Sequence, residues 1–86
     1  MLTNARQVHA RQVLSEHEVL MLLNFELSAY DECTDCHFTS VKTATRDESG
    51  SNWSGANLQV DAKATEAARG IARTVFDEVH EAYNVE

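Results

Sequence analysis

The sequence has no proline and contains only three glycines and two cysteines among its 86 residues. These scarcities argue against collagen-like, linker-like and many-turned all-β architectures. Large core residues are also few, because Leu, Val, Ile and Phe together number 19, whereas alanine alone occupies 11 positions. We therefore expect one small domain spanning residues 1–86, with a thin hydrophobic core.

Several sequence signals of function are missing as well. The chain contains seven Lys and Arg residues and 14 Asp and Glu residues. The resulting net charge of −7 argues against direct nucleic-acid binding through phosphates. No apolar run reaches the ~18 residues that span a bilayer, and the N-terminus lacks the apolar core of a signal peptide. Phosphate loops, nucleophile elbows and zinc-protease motifs are also absent. The sequence therefore predicts a cytoplasmic protein that is not an enzyme and does not bind membranes.

Hydrophobic periodicity predicts an α+β domain in the order helix, strand, strand, helix. A capping box opens the first helix, β-branched residues alternate in the first strand, and apolar residues alternate in the second strand, after a polar turn. The second helix has apolar residues at three- and four-residue steps. The absence of a crossover long enough for parallel pairing favours α+β over α/β. The predicted bounds are 15–33 and 62–83 for the helices, and 38–46 and 53–60 for the hairpin.

Two further expectations concern the ends of these elements. The first 14 residues are predicted to form a flexible arm or a short helix. Trp53 follows the hairpin turn and is the largest apolar side chain in a thin core, so we expect it to be at least half buried. Gly70 falls away from the apolar face of the second helix, which indicates that it is tolerated there and not required for close packing.

Glu26 is unusual because it lies within the apolar arc of the first helix on a helical wheel. A buried, unpaired carboxylate is costly or takes up a proton. Arg69 and Arg73 lie along the edge of the apolar face of the second helix. The pattern therefore predicts a structural ion pair between Glu26 and one of these arginines, rather than a catalytic carboxylate.

The segment 15–35 carries six acidic residues and no Lys or Arg. Acids near the start of a helix are favoured by its macrodipole, whereas acids near the predicted end are opposed by it. Charges without a benefit to folding indicate a functional surface, although acidic surfaces also aid solubility. The predicted partner-binding residues are Asp31, Glu32 and Asp35, with His17 extending the surface toward the helix start.

The string Cys33-Thr34-Asp35-Cys36-His37 is the only recognisable short motif. Haem attachment requires export and a second axial ligand, and a redox thiol prefers a helix N-terminus away from acids. We therefore expect two free thiols and no cofactor. Zinc held by Cys33, Cys36 and His37 remains an alternative, although the second ligand pair of a structural zinc site is missing.

Together, these observations favour a non-catalytic acidic module with a protein-binding or regulatory role, whose partner is a protein with a basic surface. A narrower form of this hypothesis is a nucleic-acid mimic that occupies the basic groove of a nucleic-acid-binding protein. Two alternatives stay open. One is a small metal-binding protein built on the Cys-x-x-Cys-His cluster. The other is a structural or oligomerisation role, in which a homodimer completes the thin core.

Overall fold

A computed structural model describes residues 11–48, 50–60 and 65–86 of the chain, and the structural statements below concern these residues. The predicted α+β class and the order of helix, hairpin and helix are confirmed, with short strands added before and after them. The elements are β1 (Gln12–Leu14), α1 (Glu16–Leu27), a 3-10 helix (Asp31–Cys33), β2 (Cys36–Thr43), β3 (Trp53–Val60), α2 (Glu66–Ala82) and β4 (Tyr83–Val85).

Helix α1 begins with the predicted capping box and ends earlier than predicted. The Glu18 N–H donates to the Ser15 hydroxyl at 3.1 Å, and the Ser15 N–H donates to the Glu18 carboxylate at 2.9 Å. The helix stops at Leu27 because the Ser28 hydroxyl donates to the Phe25 carbonyl at 2.6 Å, a local bond that competes with the helical ladder. Tyr30 is then extended and leads into the 3-10 helix.

The second helix packs through small side chains. Its buried residues are Ala68, Ala72, Val75 and Val79, and Thr65 caps its first turn by accepting a hydrogen bond from the Ala68 N–H at 3.2 Å. Gly70 is exposed, and a Cβ added there would meet nothing within 4 Å. The prediction that Gly70 is merely tolerated is therefore confirmed.

The predicted hairpin is present, and α1 closes part of its edge. Strands β2 and β3 pair in antiparallel fashion, with irregularities between Phe38 and Ser40 and between Lys42 and Thr43. The side-chain amide of Asn24 on α1 donates to the Phe38 carbonyl at 2.9 Å and accepts from the Phe38 N–H at 2.7 Å. Because a primary amide copies the donor and acceptor of a peptide group, Asn24 acts as a one-residue neighbour of β2.

A second, two-stranded sheet joins the beginning and the end of the described chain. Strands β1 and β4 are parallel, with Gln12 opposite Tyr83 and Leu14 opposite Val85. A parallel pair was not expected, because no connection between consecutive strands is long enough for a crossover. Strands β1 and β4 are not consecutive, and the rest of the domain connects them. The prediction of an arm or helix is wrong for 12–14, which form a strand. Residues 1–10 lie outside the described part of the chain.

Strand β4 is held by side chains from two other segments of the chain, at residue 11 and at residues 52–53. The Asn52 side-chain amide donates to the Val85 carbonyl at 2.5 Å and accepts from the Val85 N–H at 2.9 Å. It thus forms the pair of hydrogen bonds that a residue of a neighbouring strand would form. The Arg11 guanidinium donates to the Asn84 side chain at 2.8 Å and also to the His80 carbonyl. We call these contacts, together with the Trp53 indole bond described next, the β4 clamp.

Trp53 occupies the centre of the core. Only 1% of its surface is exposed, which confirms the predicted burial. Its ring packs edge-on against Phe76, with centroids 5.2 Å apart, and lies 4.9 Å from the ring of His80. Its indole N–H donates to the Tyr83 carbonyl at 2.8 Å, so that the largest side chain of the core is also part of the β4 clamp. None of the helices in the described segments is sufficiently long and hydrophobic to span a membrane.

Removal of the Asn84 side chain tests the β4 clamp. Asn84 is buried, accepts from Arg11 and donates to the Gly50 carbonyl at 2.8 Å. We expect Asn84→Ala to lower the free energy of unfolding by about 2 kcal/mol, because it removes a buried side chain that bonds two partly buried partners, Arg11 and Gly50. Urea unfolding followed by circular dichroism measures this loss. The exposed Gln59→Ala variant serves as control, and equal stability of the two variants would contradict the role given to the clamp.

The capping box predicts a pH effect at Glu18. Hydrogen bonding to the Ser15 N–H, and then to the Ser15 hydroxyl, lowers the pKa of the Glu18 carboxyl below its ordinary value. A carboxyl with a lowered pKa in the folded state contributes stability above its ordinary pKa, and this contribution is lost as the pH falls through the folded-state value. We expect Ser15→Ala to raise the Glu18 pKa toward the ordinary value in an NMR titration. An unchanged pKa in that variant would show that the Ser15 hydroxyl does not contribute to the shift, since the variant keeps the Ser15 N–H that donates to Glu18.

Candidate functional site

The outward face of α1 exposes two large apolar side chains. Phe25 is 72% exposed and Met21 is 58% exposed. They lie on the stripe that includes His17, at four-residue intervals along the helix. The buried stripe of α1 consists of Val19, Leu23 and Leu27. The two stripes are offset by two residues, or about 200° around the helix, so the exposed apolar residues point directly away from the core.

Acidic residues follow this face at the C-terminal side of α1. Asp31 and Glu32 are exposed on the 3-10 helix, and Asp35 is exposed just before β2. The argument that a helix dipole opposes these acids is wrong, because α1 ends before them and they begin a separate turn. Their turn is fixed by the Thr34 hydroxyl, which donates to the Asp31 carbonyl at 2.7 Å.

The structure separates the four predicted partner-binding residues by the length of α1. His17 is in the first turn of α1, about 15 Å along the helix axis from its last residue, whereas the three acids lie beyond that end. Met21 and Phe25 occupy the interval, and the 42% exposed Tyr30 connects the helix with the acidic turn. We refer to this set as the acidic–apolar surface: His17, Met21, Phe25, Tyr30, Asp31, Glu32 and Asp35. Met21 and Phe25 were not singled out from the sequence, because a helix that is apolar over most of its circumference does not show which of its apolar residues stay exposed.

The Cys-x-x-Cys-His string is divided between the core and the solvent. Cys33 and Cys36 are free and buried, whereas His37 is exposed, since neighbouring strand residues face opposite sides. The Cys33 thiol donates to the Ala68 carbonyl of α2 at 3.5 Å. Burial, and then the neighbouring Cys36, raise the pKa of the Cys33 thiol. No cluster of three or more His, Cys, Asp or Glu side chains in the described segments is arranged to hold a metal ion.

The predicted burial of Glu26 is wrong. Glu26 is exposed, and among the described residues no ion pair joins it to Arg69 or Arg73. The helical wheel placed it in the apolar arc because α1 is apolar around most of its circumference. The three buried residues face the core, Leu20 and Leu22 pack against it only in part, and Glu26 lies beside the buried stripe. The two arginines instead face the hairpin, because α2 turns this edge toward β3.

A buried serine–histidine contact escaped the sequence analysis. The Ser51 hydroxyl lies 2.9 Å from Nε2 of His80, and the same nitrogen lies 2.7 Å from the Trp53 carbonyl oxygen. Since a carbonyl only accepts, the contact with Trp53 is a hydrogen bond only in the tautomer that carries the proton on Nε2, and in that tautomer Nε2 is not a base toward Ser51. Ser51 is 1% exposed. This contact therefore fixes the aromatic core and provides no accessible nucleophile. No sequence signal connects residues that are so far apart in the chain.

Grooves on the described surface include two that contain predicted site residues. One, of about 310 Å³, lies between the end of α1, the acidic turn and the start of β2, with Tyr30, Asp31 and His37 among its walls. The other, of about 450 Å³, lies between β3 and α2 and includes Arg69 and Arg73. The first groove borders the acidic–apolar surface, whereas the second is formed by different elements.

Comparison with known proteins adds no relative. No protein-family model matches the chain, and no curated protein or solved structure matches it. The chemistry of the candidate sites is therefore derived from the residues of this chain.

Burial of the cysteines predicts slow thiol chemistry in the native protein. Because the thiolate is the nucleophile, a raised pKa and exclusion from solvent both slow the reaction of Cys33 with a disulfide reagent. We expect the native thiols to react at least about tenfold more slowly than the same thiols in urea, where two per chain should titrate. A native Cys33 that reacts as fast as the unfolded chain would contradict its buried placement.

Proposed function

We propose that this protein is a non-catalytic protein-binding module that meets a basic partner through the acidic–apolar surface. The observation that carries the proposal is the exposure of Phe25 and Met21 on the face of α1 opposite the core, next to a turn with three acids. Large exposed apolar side chains on one face are typical of interaction sites. The role is regulatory or structural for the partner and needs no cofactor.

The charge around this surface determines the chemistry of the partner. From residue 12 to residue 41 the chain has no Lys or Arg, and all six acids of this segment are exposed. The complementary partner has an apolar cleft for Phe25 and Met21 with Lys or Arg residues around it. A nucleic-acid-binding protein offers such a basic groove, which makes mimicry of a nucleic acid a specific form of this proposal.

Burial of the nucleophiles supports a binding role over catalysis. Ser51 is enclosed beside His80, and the Cys33 thiol is buried with a raised pKa. Both cysteines are free, which fits a reducing compartment, and our proposal places the module in the cytoplasm. A zinc-dependent role is the competing proposal. One tightly bound zinc per chain, lost in Cys33→Ser, would support it.

Self-association is the second competing role. A second copy would cover Phe25 and Met21, but a symmetric contact through this face would bring acidic segments of two chains together. Like charges oppose such a dimer most strongly at low ionic strength. Sedimentation velocity of the wild type and of Phe25→Ser distinguishes the roles, since a dimer that dissociates in the variant would favour oligomerisation over a basic partner.

The test of the proposal combines partner capture with matched charge variants. Wild-type protein is used to capture partners from a cell extract, and the kinetics of the purified complex are then measured by surface plasmon resonance. We expect the combined variant Asp31→Asn, Glu32→Gln and Asp35→Asn to reduce the association rate about tenfold at low salt, because electrostatic attraction speeds encounter. Phe25→Ser should increase the dissociation rate instead, because it removes apolar contact.

The control removes the same number of charges elsewhere. Glu78, Glu81 and Glu86 are exposed acids outside the acidic–apolar surface, and their combined change to Gln should leave the salt dependence of association nearly unchanged. Circular dichroism verifies that all variants fold. The proposal fails if both triple variants associate with the same rate and salt dependence as the wild type.

A further inference from the structure

A groove of about 450 Å³ separates β3 from α2 on a side of the molecule that the acidic–apolar surface does not use. Its volume falls in the range of about 300–1,000 Å³ that is usual for binding pockets. The buried side chains of Phe38 and Ala72 contribute to its lining, and Ala56, Leu58 and Phe76 add partly buried apolar surface. The groove therefore offers an apolar contact area to a ligand.

Strand β3, which lines this groove with Gly55, Ala56 and Leu58, has an unpaired edge. Strand β3 pairs with β2 on one side, and no other described strand pairs with its second edge. Alternate residues of an edge strand present their backbone N–H and C=O groups outward, and such an edge accepts an extended peptide as an additional strand. The groove thus combines apolar surface with hydrogen-bonding groups that are suited to a peptide backbone.

Two arginines on α2 line the groove. Arg69 and Arg73 are exposed, and neither guanidinium forms an ion pair or hydrogen bond with a described residue. Four residues of helix advance about 6 Å along its axis. Alternate residues of an extended chain are about 6.6 Å apart. Two acidic side chains separated by one residue therefore match the spacing of these two arginines.

The remaining residues give the groove a direction. Strand β3 ends at Val60, shortly before α2 begins at Glu66, and Trp53 at the start of β3 packs against Phe76 in the second half of α2, so that strand and helix run antiparallel. Beyond Arg73, the groove is lined by Phe76 and Asp77. Phe76 favours an apolar side chain at this end, and Asp77 disfavours an acidic one.

Gly55 provides independent support for the close approach of another chain. It lies inside β3, where glycine weakens a strand, and its φ angle is not in the left-handed region. A Cβ added there would meet only the Lys42 side chain at 3.7 Å, an ordinary contact. The fold therefore does not require glycine at this position. Glycine inside a strand is found where a ligand or another backbone approaches closely.

We propose that the β3–α2 groove binds an extended acidic peptide, which adds as an antiparallel strand to the free edge of β3. Its pattern, read from N- to C-terminus, is acid, any residue, acid, any residue, large apolar residue. The two acids contact Arg69 and Arg73, and the apolar side chain packs on Phe76. This second site is independent of the acidic–apolar surface, so that either proposal can fail alone.

A synthetic peptide tests this site directly. The probe is fluorescein-labelled Thr-Glu-Thr-Glu-Thr-Leu-Thr, and its binding to the full chain is measured by fluorescence polarisation. We expect saturable binding that weakens with salt and is lost for the peptide in which both Glu are Lys. The peptide of reversed order should bind more weakly, because it places Leu against Arg69 and one Glu against Asp77. Equal binding of the Glu and Lys peptides would overturn the proposal, and equal binding of the reversed peptide would overturn the assigned direction.

Variants of the protein locate the contact. Arg69→Gln and Arg73→Gln should each weaken binding of the Glu peptide about two- to fivefold, as expected for exposed ion pairs. Arg46→Gln removes the same charge from an exposed loop residue outside the groove and should leave affinity unchanged. Equal weakening by all three variants would mean that the peptide responds only to net charge, which would overturn the site.

Hydrogen exchange separates strand addition from simple electrostatic attraction. If the peptide pairs with β3, amide protons between Ser54 and Leu58 that point to the free edge should exchange more slowly when the Glu peptide is bound. The change should be absent with the Lys peptide. Binding without added protection in β3 would overturn strand addition. The surface variants Asp31→Asn, Glu32→Gln and Asp35→Asn should not affect this probe, which keeps its outcome distinct from that of the proposed partner.

Discussion

Anchoring of the C-terminal strand is the interaction on which the rest of this structure depends. Strand β4 has too few residues to contribute much apolar contact, yet Val85 and Asn84 are among the most buried residues of the described chain. Its backbone pairs with β1 on one side and with Asn52 on the other, and the Trp53 indole donates to Tyr83. These bonds hold a strand in the interior that would otherwise leave buried peptide groups unmatched.

This polar anchoring complements a core that is poor in large side chains. The helix–helix contact relies on alanines and valines of α2, and one tryptophan fills the space between helix, hairpin and β4. The hairpin turn takes part as well: Gly50 has a φ of 88°, which favours glycine, and its carbonyl accepts from Asn84. Gly50 in the turn, Asn84 in β4 and Arg11 before β1 are thus joined in one hydrogen-bond network.

With the core occupied in this way, two surfaces of different chemistry remain open. The outer face of α1 combines apolar side chains with acids, whereas the groove beside β3 combines apolar side chains with two arginines. They lie on separate elements and favour ligands of opposite charge. A module with both surfaces is suited to hold a basic partner and an acidic peptide at the same time, in accordance with the two proposals.

The sequence by itself determined the features that depend on neighbouring residues or on size. The capping box at Ser15, the hairpin, the α+β order and the burial of Trp53 follow from local hydrogen bonding, periodicity and side-chain area. The parallel sheet and the exposure of Glu26 and Phe25 were decided by the tertiary structure. Helix α1 is apolar around most of its circumference, so its sequence does not specify which stripe faces the core. The buried stripe is the one against which the hairpin and α2 pack. The β3–α2 groove likewise exists only because distant residues meet.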